Sequence, residues 1–193
     1  MQLRNTTTRW GTVAQGLHWI MAAMILVQLI GGHYMAGLGK SKAQDAFYYA
    51  LHEPLGIAVL VVLIMRAVWR LASPTPAWPA TTPPWQRTAA KAMHILLYTA
   101  ILIMVLSAWA MASGAKFPVS PNTPWALPNF EPPWPEAFTK GWGKRAYDMH
   151  VWWGWAIVAL LGVHVLAALK HHFLDRDTVL RRMVPFGRQG ADV

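Results

Sequence analysis

His150 and His164 stand fourteen residues apart in the stretch DMHVWWGWAIVALLGVHVLAALKHH (148–172), with only apolar or small residues between them. Fourteen residues are close to four whole turns of an α-helix, and at a rise of about 1.5 Å per residue they span about 21 Å. Both imidazoles therefore lie on one side of a single helix, one near each end. Nitrogen ligands so far apart cannot share one metal ion. Each can hold one of two haems stacked across a bilayer, provided that other helices supply the opposite axial ligands. The same spacing argues against a metal or proton transporter built on these histidines, because the ligands of one ion must converge within a few ångströms.

The elements that would position such ligands are legible as four apolar runs, near 16–35, 52–71, 90–112 and 148–172. Each has the roughly 20 residues needed to cross a bilayer. A chain of 193 residues that is 55% hydrophobic, 13% charged and carries twelve Trp suits a membrane protein better than a soluble globule. The expected fold is all-α, a single-domain integral membrane four-helix bundle holding two b-type haems. The absence of cysteine removes disulfides, iron–sulfur clusters, thiolate ligation and covalent haem attachment together. The N-terminal stretch lacks a short apolar core followed by a small-residue cleavage site, so the first run reads as a retained span. A short connection is expected at 36–51. The prolines of SPTPAWPATTPPW (73–85) favour extended structure. The longest connection, 113–147, is rich in Pro and Trp (Trp125, Trp134, Trp142) and suits a cap at the membrane–water interface.

The net charge of +9 sits between the apolar runs and does not form the continuous basic footprint that nucleic acid requires. It sets topology instead. The N-terminus, second connection and tail, with their helix ends, carry Arg4, Arg9, Arg66, Arg70, Arg87, Lys91, Lys170, Arg176, Arg181, Arg182 and Arg188. The other side carries Lys40, Lys42, Lys116, Lys140, Lys144 and Arg145. The larger set belongs inside, which places both termini in the cytoplasm.

Ionisable residues within a span are costly and are functional candidates by default. With that topology His18 and His164 form an inner pair, and His52 and His150 an outer pair. Each pair joins two helices at matched depth, as bis-histidine ligation inside a bundle requires. His33 competes for the outer position, but Gly31, Gly32 and Tyr34 beside it give it an interfacial character. His94 reads as a core hydrogen-bonder or a propionate contact. Arg66 lies fourteen residues after His52, and Arg70 one turn further. Their guanidinium groups suit haem propionates, and both also serve as positive-inside anchors. His171 follows His164 by about two turns. It could reach a quinone or a propionate near the inner surface, or simply snorkel.

At this point the chain resembles the bacterial cytochrome b561 family. The matching stretches are QGLHWIM, LHEPLGIAVLVVLIMRAVWRLASPTP, KAMHILLYTAILIMVLSAWAM and MHVWWGWAIVALLGVHVLAALKHHFLDRDTVLRRM. They cover nearly the whole chain except the long Pro/Trp connection. The resemblance implies two b haems, a bacterial inner-membrane location and electron transfer between a quinone and a partner. One activity in that family is oxidation of superoxide at the periplasmic face with reduction of ubiquinone. By position, the resemblance implies His18 with His164 at one haem and His52 with His150 at the other. It also places His171 at the quinone end.

Bis-histidine ligation leaves no open iron position, so such haems would carry electrons and not bind oxygen. Lys116, Lys140, Lys144 and Arg145 would attract an anion such as superoxide, and His171 is a candidate proton donor to the quinone. A second reading is a cytochrome b subunit that exchanges electrons with a partner dehydrogenase or hydrogenase docked on the outer cap. In either case membrane lipid is the solvent.

Overall fold

The computed structural model describes residues 2–37, 42–114 and 143–184. Among them there is no strand, and four long helices account for most of the chain. They are α1 (Thr12–Gly37), α2 (Lys42–Ala72), α3 (Pro84–Gly114) and α4 (Gly143–Phe173). All four are long and apolar enough to cross a membrane. The chain is thus an all-α, four-helix membrane bundle, as expected.

The helices outrun the apolar stretches. α2 begins ten residues before His52, so most of the expected 36–51 connection is helical. Apolar length measures depth in the bilayer, whereas Lys, Ala and Gln continue a helix beyond it. α4 likewise takes residues from the expected 113–147 connection by starting at Gly143. The remainder of that connection, with Lys116, Lys140, Trp125, Trp134 and Trp142, lies outside the described residues, as do Lys40 and Arg188.

Local chemistry explains the ends and the one interruption. Pro84 opens α3, where a residue without N–H costs nothing. Pro54 lies inside α2 and removes one ladder bond. Two residues before it, the His52 carbonyl accepts a hydrogen bond from Gln28 Nε2 at 2.8 Å. At the end of α4 the amides of Leu174 and Asp175 both return to the Lys170 carbonyl, and the amide of Asp177 to that of His171. Arg176 takes a positive φ of 52°, the left-handed conformation common at helix C-termini.

The residues fall into two compact units, each containing one stretch of every helix. The first unit comprises Met1–Ala22, Val62–Tyr98 and Ala159–Val193. Its core includes Ala14, Met21, Leu63 and Leu97. The second comprises Ala23–Val61 and Thr99–Val158, with Ile25, Ala50, Val59, Ala100, Ile101, Ala146 and Ile157 buried. No large described side chain is fully buried in either. Exposed Leu26, Ile30, Val61, Ile64, Ile95, Val163 and Leu166 give the helices apolar outer surfaces, as lipid contact demands.

The first unit also stitches three non-helical segments together. The Asn5 side chain accepts from the Gly11 amide (2.9 Å) and donates to the Pro74 carbonyl (3.1 Å). Arg182 Nη1 donates to the Ala77 carbonyl, and the Gln15 amide and Trp19 indole donate to the carbonyls of Arg182 and Met183. The N-terminus, the second connection and the segment after α4 are therefore on one side, which is the grouping the charge count assumed.

Candidate functional site

Each unit brings together the two histidines assigned to it by depth. In the first, the rings of His18 on α1 and His164 on α4 have centroids 6.2 Å apart, with planes at 60°. In the second, His52 on α2 and His150 on α4 are also 6.2 Å apart, at 77°. An imidazole nitrogen binds a transition metal at about 2 Å, so two rings on opposite sides of one ion have centroids about 6.3 Å apart. Both pairs fit a shared ion to within that approximation.

The surroundings fit as well. His150 Nδ1 donates to the Met104 carbonyl on α3 at 3.0 Å, which leaves Nε2 with its lone pair for a metal. His52 Nδ1 is buried with no protein partner. Gly32 of α1 lies against His52, since a Cβ there would stand 3.3 Å from His52 Cε1. Part-buried imidazoles paired across helices are a donor set suited to haem iron. Among the described residues, three or more His, Cys, Asp or Glu ligand atoms converge only at His171, Asp175 and Asp177.

His94 makes the core hydrogen bond expected of it and also lies beside a proposed ligand. Its ring lies 5.8 Å from that of His164, and its Nδ1 is 2.6 Å from the Ala90 carbonyl of its own helix. The first unit thus places three imidazoles together. His33 instead packs edge-on against Trp155, 5.8 Å away, in the second unit.

Arg66 is part-buried beside the first pair. Its Nε donates to the Tyr98 hydroxyl at 2.9 Å, and its Nη1 is buried without a partner. Arg70 places its guanidinium 5.7 Å from the Trp10 ring. Both arginines line a small recess with Asn5, Trp10, Trp69 and Tyr98. An unpartnered guanidinium nitrogen in such a place calls for an anionic oxygen.

His171 does not snorkel freely. Its Nδ1 lies 2.6 Å from Asp177 Oδ2 and 3.3 Å from Asp175 Oδ2, and its side chain is 14% exposed. Asp177, 7% exposed, is oriented by the Val179 amide on its other oxygen. Lys170 bridges to Asp175 at 2.6 Å. Asp177, Tyr98, Gln28 and Ser107 were not singled out in the sequence. Asp177 is brought back to His171 by the left-handed turn at Arg176.

Comparison with known proteins decides the family. The model of the prokaryotic cytochrome b561 family matches residues 9–186. The chain belongs to that family. It is 30% identical to cytochrome b561 homolog 2 of Escherichia coli K12 over 195 residues, covering 100% of this chain and 98% of that one. It is 22% identical over 170 residues to a probable superoxide oxidase, CybB, of Yersinia pestis, covering 88% and 92%. Similarity to a cytochrome b562 of Cereibacter sphaeroides is 25% over 172 residues, covering 87% and 90%. The chain is therefore a bacterial membrane cytochrome b, whose family membership implies b-type haem.

Proposed function

We propose that this cytochrome holds two b haems, one per unit, and carries electrons from a periplasmic donor, superoxide in preference, to membrane ubiquinone. The observation that carries the reading is the pair of cross-helix imidazole contacts at one common ring separation, 6.2 Å. In this reading His18 and His164 hold one haem, and His52 and His150 the other. Haem iron supplies reversible one-electron chemistry. With two imidazoles given to each haem, the group would carry electrons and would not bind oxygen. Arg66 and Arg70 anchor the propionates of the first-unit haem. The positive-inside count supports an inner-membrane orientation with both termini cytoplasmic.

Two superoxide ions each give up one electron and become dioxygen. Ubiquinone takes up the two electrons and two protons. His171 delivers a proton through Nε2, while Asp177 holds Nδ1–H and fixes the ring, the usual division of labour between a catalytic imidazole and its carboxylate partner. On the donor side, Lys144 and Arg145 contribute to a positive field. The Lys144–Asp148 bridge at 2.7 Å offsets much of the Lys144 charge in that field.

The test is a reduced-minus-oxidised spectrum of the purified protein with haem counted per chain. Two low-spin b haems, followed by superoxide-dependent ubiquinone reduction, are expected. A well-folded preparation without haem overturns the reading.

A further inference from the structure

The second unit contains a buried hydroxyl that the mechanism does not use. Ser107, 5% exposed, lies in the last third of the membrane-crossing part of α3. Its Oγ donates to the Met104 carbonyl at 2.8 Å. That carbonyl is also the acceptor for His150 Nδ1, and Ser107 Oγ is itself 3.4 Å from the same nitrogen. Three polar groups thus close a small triangle between α3 and α4. Gly154, one turn after His150, helps α4 lie close to Met104, whose Cε would be 3.5 Å from a Cβ at that position.

A serine that bonds back to its own helix contributes little there and slightly weakens the ladder. Its effect must be sought in the shared acceptor. A carbonyl oxygen has two lone pairs, and a hydroxyl proton on it lessens what it offers to another donor. For His150, the Nδ1–H bond sets the electron density at Nε2. Electron density on an axial ligand in turn sets the reduction potential of the iron.

We propose that Ser107 is a positioning and tuning residue for His150, holding the shared Met104 carbonyl and raising the reduction potential of the second-unit haem. The inference rests on the reading that His150 is an axial ligand. Removing the hydroxyl leaves the carbonyl wholly to His150, makes the imidazole a stronger electron donor and favours oxidised iron. The weaker 3.4 Å contact works in the opposite direction, but the 2.8 Å bond is the shorter and dominates.

The experiment is a redox titration of the haem-loaded protein carrying Ser107→Ala or Ser107→Thr, with haem counted per chain. Ser107→Ala should retain both haems and move one midpoint to lower potential, while the other serves as an internal reference. Ser107→Thr, which keeps the hydroxyl, should restore the wild-type midpoint. Unchanged midpoints in a fully loaded Ser107→Ala protein overturn the inference, as does a shift that Ser107→Thr fails to reverse. Full haem content in His150→Ala would instead overturn the ligand reading beneath it.

Discussion

The two units hold their histidine pairs at the same ring separation but surround them with opposite chemistry. The first adds a third imidazole, His94, and two guanidinium groups, Arg66 and Arg70. In the second, the contacts of His150 are with neutral groups, the Met104 carbonyl and the Ser107 hydroxyl. One ligand geometry is thus placed in a cationic and in a neutral setting. Cations beside a haem favour the reduced, more electron-rich state and bind its carboxylates. Neutral dipoles exert weaker fields and act in part through the ligand they bond. Under the proposed function, two otherwise alike centres would thereby differ in potential, and that difference would favour one direction of electron flow.

The largest expected effect tests whether the pairs are independent. His52→Ala or His150→Ala should remove the second-unit haem, halving haem per chain, and His18→Ala or His164→Ala should remove the other. His94→Ala should leave haem content at the wild-type level. Haem loss in that variant would make His94 the partner of His164 in place of His18.

Gly11→Ala attacks the first unit alone. An added Cβ would stand 2.4 Å from the Leu3 carbonyl oxygen and 2.6 Å from that of Arg4, both backbone atoms. A loss of about 2–3 kcal/mol is expected from such a clash. It should be read as a lower Tm with early release of the first-unit haem.

Arg66→Gln should shift only the first-unit midpoint, to lower potential, with both haems retained. Equal shifts at both haems would erase the contrast between a cationic and a neutral setting. The smallest effect is that of Asp177→Asn, expected to slow ubiquinone reduction severalfold at unchanged haem spectra. Full activity in that variant would remove Asp177 from the proton path.

Depth and periodicity made much of this legible. His18, His52, His150 and His164 could be sorted into pairs because helix rise is constant and the spans are uniformly apolar. The lengths of α2 and α4 were not legible, because residues such as those of KAQDAFYYA carry a helix past the hydrophobic boundary. Nor were the partners of the imidazoles. The Met104 carbonyl has no sequence signature, and Ser107 is one small residue among LSAWAMAS. Asp177 lies six residues after His171, a spacing that would point elsewhere on a continuing helix and converges only through the turn at Arg176.

The hydrogen bonds from Gln15 and Trp19 on α1 to the carbonyls of Arg182 and Met183 have a consequence for biosynthesis. The start of the chain waits for its end: these donors find their partners only after the ribosome has released α4 and the turn that follows. The second unit, which ends at Val158, has no such dependence. Closure of the first unit by these two bonds therefore follows synthesis of residues 182 and 183.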